Sequence, residues 1–407
     1  MTEEHVPQRT IAFSPPDITE AEIAEVSDAL RSGWITTGPR TKKLEGMLKT
    51  YTDAAGLACL GSATASLETV LRILGIGPGD EVITSAYTYT ASASPICHVG
   101  ATPVLCDVAP GTFQIDIDAI APLVTNRTKA IIPVDLGGRM VDYDHLFSVL
   151  DSLRDKWHPA NELQSCFSRI MVITDAAHAL GARYNGRASG SVADFSTFSF
   201  HAVKNFTTAE GGALAWRDAG FDNDDFYHQI MLQSLHGQSK DALSKTKVGA
   251  WEYDVAFPGY KCNMTDMQAA LGLVQLQRYP GMLARRRDMI ARYNRNLAAA
   301  PVQIMQHFEG PFESSGHLML TRIDGAIWEA RNRVIEDMGQ RGIACNVHYK
   351  PLPLLTAYKN LGFRMENYPN AYAQFENEVT LPLHTLLTDD DVDYICQNYI
   401  EAIRANL

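Results

Sequence analysis

The stretch Leu57-Ala58-Cys59-Leu60-Gly61-Ser62-Ala63-Thr64-Ala65-Ser66-Leu67-Glu68-Thr69-Val70-Leu71-Arg72-Ile73-Leu74 decides the fold class. Leu57–Leu60 is a short apolar run of the kind that forms a buried strand, and Gly61-Ser62-Ala63-Thr64 is a small, polar turn. From Ala65 to Leu74, Leu67, Val70, Leu71 and Leu74 fall on one helical face. Strand, tight turn and helix in that order are the unit of an α/β protein.

The pattern repeats outward to about residue 215, with strand-like runs at Glu81–Ser85, Thr102–Cys106, Ala130–Val134, Met171–Thr174 and Ser196–Phe200, and a helix expected at Asp118–Leu123. Such alternation predicts a mostly parallel mixed sheet with helices on both faces. Upstream, residues 17–31 hold two overlapping helix-start patterns, Asp17…Glu20 and Thr19…Glu22, before Ile23, Val26 and Leu30 at helical spacing. Tyr143 to Arg169 reads as a helix with a polar tail, a surface insertion. After Trp251 the texture becomes helix-rich from Thr265 to Ala299, with Ala269, Leu273, Leu276 and Ile290 apolar. A second α+β unit then follows: strand Leu318–Ile323, helix Ile327–Met338, strand Ile343–Tyr349 and a final helix at Asp389–Ala405. The expected division is a large domain over residues 1–250 and a smaller C-terminal domain over 251–407.

Composition narrows the function classes. The 407 residues are 46% hydrophobic and 20% charged, with a formal charge of −12, which disfavours nucleic acid and anionic membranes as partners. Seven cysteines without a C-x-x-C pair fit idle thiols in a reducing compartment better than disulfides or a metal site, and none is expected to bind metal. The acidic start, Met1-Thr2-Glu3-Glu4-His5, lacks the build of a signal peptide, and no apolar run nears the roughly 20 residues that cross a bilayer. The expectation is a cytoplasmic protein. Gly75-Ile76-Gly77-Pro78-Gly79 ends a helix and feeds a strand, so it reads as a helix C-terminal turn, not a dinucleotide loop. Arg285-Arg286-Arg287 reads as a solvated helix face.

Three motifs carry chemistry. Gly61-Ser62-Ala63-Thr64 opens a helix, where small residues, a hydroxyl and the helix dipole favour an anion, although a plain N-cap explains it as well. Asp175 directly follows a strand and heads Asp175-Ala176-Ala177-His178, at the strand end where ligands of parallel sheets gather; a turn residue is the alternative. Lys204 sits in Ser199-Phe200-His201-Ala202-Val203-Lys204-Asn205-Phe206-Thr207-Thr208-Ala209-Glu210-Gly211-Gly212, where desolvation would make a lysine nucleophilic toward aldehydes. A phosphate cradle, a strand-end acid and a lysine match what pyridoxal phosphate (PLP) requires.

With Gly33-Trp34-Ile35-Thr36-Thr37-Gly38-Pro39, Gly77 to Ile83, Pro258-Gly259-Tyr260 and Leu381-Pro382-Leu383-His384 added to these, the chain from about residue 11 onward resembles the fold-type I, PLP-dependent nucleotide-sugar aminotransferases. Its lead-in to the lysine and its Thr-Thr-Ala-Glu-Gly-Gly exit are most similar to members that aminate C4 of a 4-keto nucleotide sugar. The resemblance implies that Lys204 forms the internal aldimine and shuttles the substrate proton, and that Asp175 pairs with the pyridine nitrogen. It further implies that Tyr87 stacks on the ring, that His178 lies near its phenolic oxygen, and that Ala63, Thr64 and Ser199 hold the phosphate. Thr36, Gly38, Pro39, His201, His348 and Tyr349 are expected on the substrate side. Lys261 stands where many relatives carry an asparagine that reaches the neighbouring subunit's phosphate, so Lys261 or Asn263 is expected to act across a homodimer. Pro353 replaces a histidine common in relatives. The implied reaction moves an amino group from L-glutamate to the keto sugar. Two other readings share the fold: a pyridoxamine-dependent sugar dehydratase, whose relatives replace the lysine by histidine, and a non-catalytic PLP-binding regulator.

Overall fold

The computed structural model describes residues 9–239 and 252–407. The boundary expected near residue 250 and the acidic start at Met1 lie outside the described residues.

In chain order, helices α1 (Glu20–Arg31) and α2 (Pro39–Thr52) precede strand β1 (Gly56–Leu60) and helix α3 (Ala63–Ile73). Then come β2 (Glu81–Ser85), α4 (Ser94–His98), β3 (Thr102–Cys106), β4 (Thr128–Ile132), α5 (Tyr143–Ser152) and α6 (Glu162–Ser165). They are followed by β5 (Met171–Asp175), the short β6 (Arg183–Tyr184) and β7 (Arg187–Ala188), β8 (Phe195–Ser199), β9 (Gly212–Trp216) and α7 (Asn223–Ser234). The rest comprises α8 (Asp266–Asn296), β10 (Val302–Ile304), β11 (Phe308–Glu309), β12 (Phe312–Glu313), β13 (Met319–Ile323) and α9 (Trp328–Gln340). It ends with α10 (Thr356–Asn360), α11 (Pro369–Glu376), β14 (Glu378–Leu381) and α12 (Asp389–Asn406).

Seven strands form the main sheet in the order β1-β9-β8-β5-β4-β2-β3. β9 alone runs against its neighbours β1 and β8, while the pairs β2–β3, β2–β4, β4–β5 and β5–β8 are parallel. β1, β2, β4, β5 and β9 are buried along their full length, as strands covered by helices on both faces must be. The α/β expectation is met. The helix expected at Asp118–Leu123 is only a 3-10 turn at Ala121–Leu123, because Pro122 and a single turn's length leave no room for an α-helix.

The second sheet, β10-β13-β14, packs against α8, α9 and α12. The strand expected at Ile343–Tyr349 is instead an extended segment tied by two isolated bridges, Ile11 to Ile343 and Asn346 to Thr380. One hydrophobic core runs from Leu44 to Met282; another gathers Met289, Ile290, Met319, Val334 and Tyr399 around Ile11 from the N-terminal segment. Helix α8 serves both. It starts with a capping box between Thr265 and Gln268.

Three expectations about polar segments are corrected by packing. Arg286 is not solvated: it is buried and donates to the carbonyls of Gly316 (3.1 Å) and Leu383 (2.9 Å). The 143–169 segment is not an appendage, since Asn161 Nδ2 and Gln164 Nε2 both donate to the carbonyl of Leu74 (2.9 and 2.8 Å), closing the C-terminus of α3. On α1, the Thr19–Glu22 capping box wins over Asp17…Glu20, because Glu22 turns inward to Arg278 (2.6 Å) and Asp17 makes its own pair with Arg278 (2.6 Å). The inward face therefore carries Glu22 and Ala29, and Ile23 and Leu30 remain 51% exposed.

Candidate active site

β1 and β8 are each antiparallel to β9, so β1 runs with β8, β5 and β2, and the carboxyl ends of all four lie on one edge of the sheet. Ligands of open α/β sheets bind at that edge. A cavity of about 340 Å³ opens there, walled by Ala63, Thr64, Asp175, His178, Ser199, His201, Lys204 and Tyr349 among others. Eight of the residues singled out from sequence thus meet in one place.

Local structure fixes each of them. Ser62 caps α3 by accepting from the amide of Ala65 (3.0 Å), which leaves the first helical amides, those of Ala63 and Thr64, without intrahelical acceptors. Gly212 makes this approach possible: a Cβ there would lie 2.4 Å from the carbonyl carbon of Ser62 and 2.5 Å from the nitrogen of Ala63. Asp175, at the end of β5, accepts from Ser92 Oγ (2.7 Å) and from the amide of Ala177 (3.1 Å). Because Ser92 spends its proton on Asp175, Thr88 Oγ1 donates to Ser92 (2.7 Å). Burial pushes the Asp175 carboxyl up from its ordinary range, while Ser92, Ala177 and the charge on Lys204 hold it down.

Lys204 closes a turn in which its amide donates to the carbonyl of His201 (2.9 Å). Burial lowers its ammonium to about 8, opposed by Asp175. A neutral amine is therefore available near physiological pH. His178 Nδ1 accepts from the amide of Gly137 (3.2 Å), and burial, Lys204 and His348 depress its pKa. The ring is neutral with its proton on Nε2, which donates to Tyr349 Oη (3.2 Å).

Other expected residues sit elsewhere. Tyr87 is not a ring-stacking residue: its side chain is fully buried against Phe113 (5.7 Å between centroids) and donates to the carbonyl of His348 (2.8 Å). Tyr89, two residues on, is 59% exposed and lines the cavity beside Tyr349 (5.8 Å). Tyr89, Thr88 and Ser92 were missed from sequence; the only signal was the doubled tyrosine of Tyr87-Thr88-Tyr89. Thr36, Gly38, Pro39, Lys261 and Asn263 do not wall the cavity of their own chain. Gly38 and Pro39 start α2, and the others are tied together at the start of α8: Asn263 Nδ2 donates to Thr37 Oγ1 (2.5 Å), Lys261 Nζ bonds Asn263 Oδ1, and the carbonyl of Thr36 accepts from the amide of Asp266 (3.1 Å). His348 stands next to Tyr349, with Nδ1 bonded to Thr380 Oγ1 (2.9 Å).

The site fits PLP. Free amides at the start of α3 and the hydroxyls of Thr64 and Ser199 suit its phosphate. A protonated ring nitrogen would give buried Asp175 the counter-charge it needs, and Lys204 supplies the amine for the aldehyde. Among the described residues no acidic, histidine or cysteine cluster could hold a metal ion, and no helix is long and apolar enough to cross a membrane.

Comparison with known proteins agrees. The family model for the DegT/DnrJ/EryC1/StrS aminotransferases matches residues 16–399. Spr1654 of Streptococcus pneumoniae, assigned as a sugar aminotransferase, is 56% identical in its PMP form, with a TM-score of 0.96 over 98% of this chain and 100% of that one. Its PLP form is 54% identical with a TM-score of 0.95. The spore coat polysaccharide biosynthesis protein SpsC of Bacillus subtilis is 36% identical over 97% of this chain and 96% of its own. DesI, solved in the presence of its TDP-sugar product, is 26% identical with a TM-score of 0.82, over 99% of this chain and 95% of that one. A cavity built for PLP, on a chain matched almost end to end, leaves one conclusion: this protein belongs to the DegT/DnrJ/EryC1/StrS family and is a PLP-dependent sugar aminotransferase.

Proposed function

We propose that the protein transfers an amino group from L-glutamate to the C4 ketone of a nucleotide-linked deoxysugar. The observation that carries the reading is the convergence of Lys204, Asp175 and the amino end of α3 on one cavity. The nucleotide handle is supported by DesI and its TDP-sugar product, and C4 by the Ser199-Phe200-His201 lead-in and the Thr207 to Gly212 exit.

Bound PLP supplies an electron sink for the pair released when a proton leaves the substrate carbon. The chain's own residues do the rest. Lys204 Nζ, about half of it uncharged at pH 8, would take and return that proton. Asp175, steadied by the Thr88–Ser92 hydroxyl pair, would hold its charge for the ring nitrogen. His178, a neutral Nε2–H donor, orients Tyr349 above the cavity. Ala63, Thr64 and Ser199, which line the cavity, would anchor the phosphate.

The active unit is proposed to be a homodimer. Lys261 and Asn263 lie off the cavity of their own chain, which suits residues that complete a partner's site. Ile18, Ile23 and Leu30 leave an apolar stripe on and beside α1, 41 to 51% exposed.

The test is the absorbance spectrum of the purified protein before and after glutamate, then after a 4-keto nucleotide sugar. Conversion to the pyridoxamine form by glutamate, reversed by the sugar with release of its 4-amino product, supports the reading. A cofactor band that glutamate leaves unchanged overturns the donor assignment, and one that no 4-keto nucleotide sugar restores overturns the acceptor.

A further inference from the structure

Glu378 is a fully buried carboxylate on β14, far from the ordinary place of such a group. An apolar residue would be easier to bury there, so its hydrogen bonds invite explanation. Its Oε1 accepts from Thr380 Oγ1 (2.5 Å) and its Oε2 from the backbone amide of His348 (2.8 Å). Thr380 Oγ1 in turn meets His348 Nδ1 (2.9 Å). The His348 ring stacks on Phe13 (5.5 Å between centroids), and its carbonyl is held by Tyr87. The next residue, Tyr349, walls the active-site cavity, and the charge on Lys204 is felt at the imidazole. Carboxyl, hydroxyl and imidazole form an unbroken chain whose outer end is His348 Nε2.

We propose that Glu378, Thr380 and His348 form a relay that sets the hydrogen-bonding polarity of His348 Nε2, and that this nitrogen reads a hydroxyl of the sugar. The proposal rests on the sugar-aminotransferase reading and adds a substrate-orienting device to it. With Glu378 ionised, Thr380 donates to it and accepts from Nδ1–H, so Nε2 is an acceptor. With Glu378 protonated, the carboxyl donates to Thr380, whose hydroxyl donates to Nδ1, and the imidazole proton resides on Nε2. One proton enters at Glu378, and the imidazole keeps one proton throughout. Glu378 and Thr380 are positioning residues.

Of the three groups in the relay, only Glu378 changes charge near neutral pH, and in the holoenzyme Lys204 is committed to the cofactor. Burial raises Glu378 to about 8, with Thr380, the His348 amide and Arg331 opposing. Burial and Lys204 hold His348 down at about 4. The other titratable groups that sense Glu378 are Arg331 on α9, Tyr399 on α12, Cys345 and Tyr349 on the neighbouring segment, and Tyr87 after β2. Burial raises the four phenol and thiol groups among these, so they stay neutral. His348 also faces His178 and His317, both kept neutral by burial.

The test uses the full-length holoenzyme labelled with 15N-histidine. The His348 signals, assigned by their loss in His348→Gln, should show the proton on Nδ1 above about pH 8 and on Nε2 below it. Thr380→Val should abolish the switch and Thr380→Ser should restore it. The same tautomer at pH 6.5 and pH 9 in wild type overturns the relay. In kinetics, Thr380→Val should raise KM for the sugar about five- to tenfold, the loss of one oriented hydrogen bond, with KM for the amino donor held within twofold. An equal rise in both, or none for the sugar, overturns the recognition role. Should wild type turn over no keto sugar, recognition falls with the functional reading, while the nitrogen signals still decide the relay. Glu378→Gln, which can neither ionise nor gain a proton, should freeze one tautomer across the range.

Discussion

Tyr87 and Tyr89 stand two residues apart on one loop and point to opposite environments: Tyr87 is sealed in the core with its hydroxyl on the carbonyl of His348, and Tyr89 is 59% exposed on the cavity wall. An aromatic ring on the wall is the one able to cover a planar cofactor. Tyr89→Ala should therefore weaken PLP retention up to about tenfold, in line with roughly 0.5–1.5 kcal/mol for an aromatic contact. Tyr87→Phe should leave retention unchanged and lower stability by about 1 kcal/mol for the lost bond to His348. Cofactor titration and urea unfolding separate the two.

Lys204 carries a pH signature. Its folded value of about 8 lies below the ordinary lysine value, so the fraction of neutral amine grows as pH rises through 8. The rate at which the apoprotein captures PLP should rise with pH and level off above that midpoint, because only the neutral amine attacks the aldehyde. Stopped-flow absorbance from pH 6 to 10 measures it. Lys204→Ala should fold normally and show neither the capture signal nor transamination.

Gly212 tests the phosphate cradle. A methyl group there collides with the backbone of Ser62, Ala63 and Phe198, none of which can swing aside. Gly212→Ala should displace the start of α3, cut PLP affinity at least about tenfold and cost about 1–3 kcal/mol of stability, the range for overpacking. A variant with wild-type cofactor affinity would show the cradle to be more pliable than its contacts indicate.

Asp135 offers a stability test. It is fully buried, accepts from the amide of Val141 (2.9 Å) and from Tyr143 Oη (3.0 Å), and burial raises it to about 7. Between the unfolded value near 4 and the folded value near 7, the native state holds a proton that the unfolded chain has released. Stability from this group therefore falls as pH rises through that window and is flat above it. Asp135→Asn lacks this loss, so its stability relative to wild type should climb from pH 4 to 7. Urea unfolding at pH 5, 6, 7 and 8 gives the difference directly, with the histidines common to both proteins cancelling.

What could be read in advance was local. Strand, turn and helix at residues 57–74, the acid after a strand at Asp175 and the lysine after another at Lys204 each declare themselves within a few residues, and the sheet's topology gathers them without further instruction. What could not be read depended on partners distant in sequence. Tyr87 is drawn inward by His348, which lies 261 residues away. Arg286 looks like one of three surface arginines until Gly316 and Leu383 supply carbonyls. α1 presents an apolar pattern at Ile23, Val26 and Leu30, yet the face turned inward is the one carrying Glu22, because Arg278 and Gln275 are there to meet it. Glu378 gave no signal at all, since in Glu376-Asn377-Glu378-Val379-Thr380 it looks like one more polar residue leading into a strand.

Helix α8 passes from one core at Met282 to the other at Met289 without a break in its hydrogen-bonded backbone, just past Pro280. Each residue of an α-helix turns the chain by about 100°. One residue inserted or deleted between those methionines would rotate everything beyond it by that angle, taking Ile290 and Tyr293 out of their core and Arg286 away from its two carbonyls. Only a change of about seven residues, two full turns, would return the side chains to their faces, and it would lengthen the span by roughly 10 Å. This seven-residue span is thus a fixed-length ruler, free to exchange side chains within limits and closed to insertions and deletions.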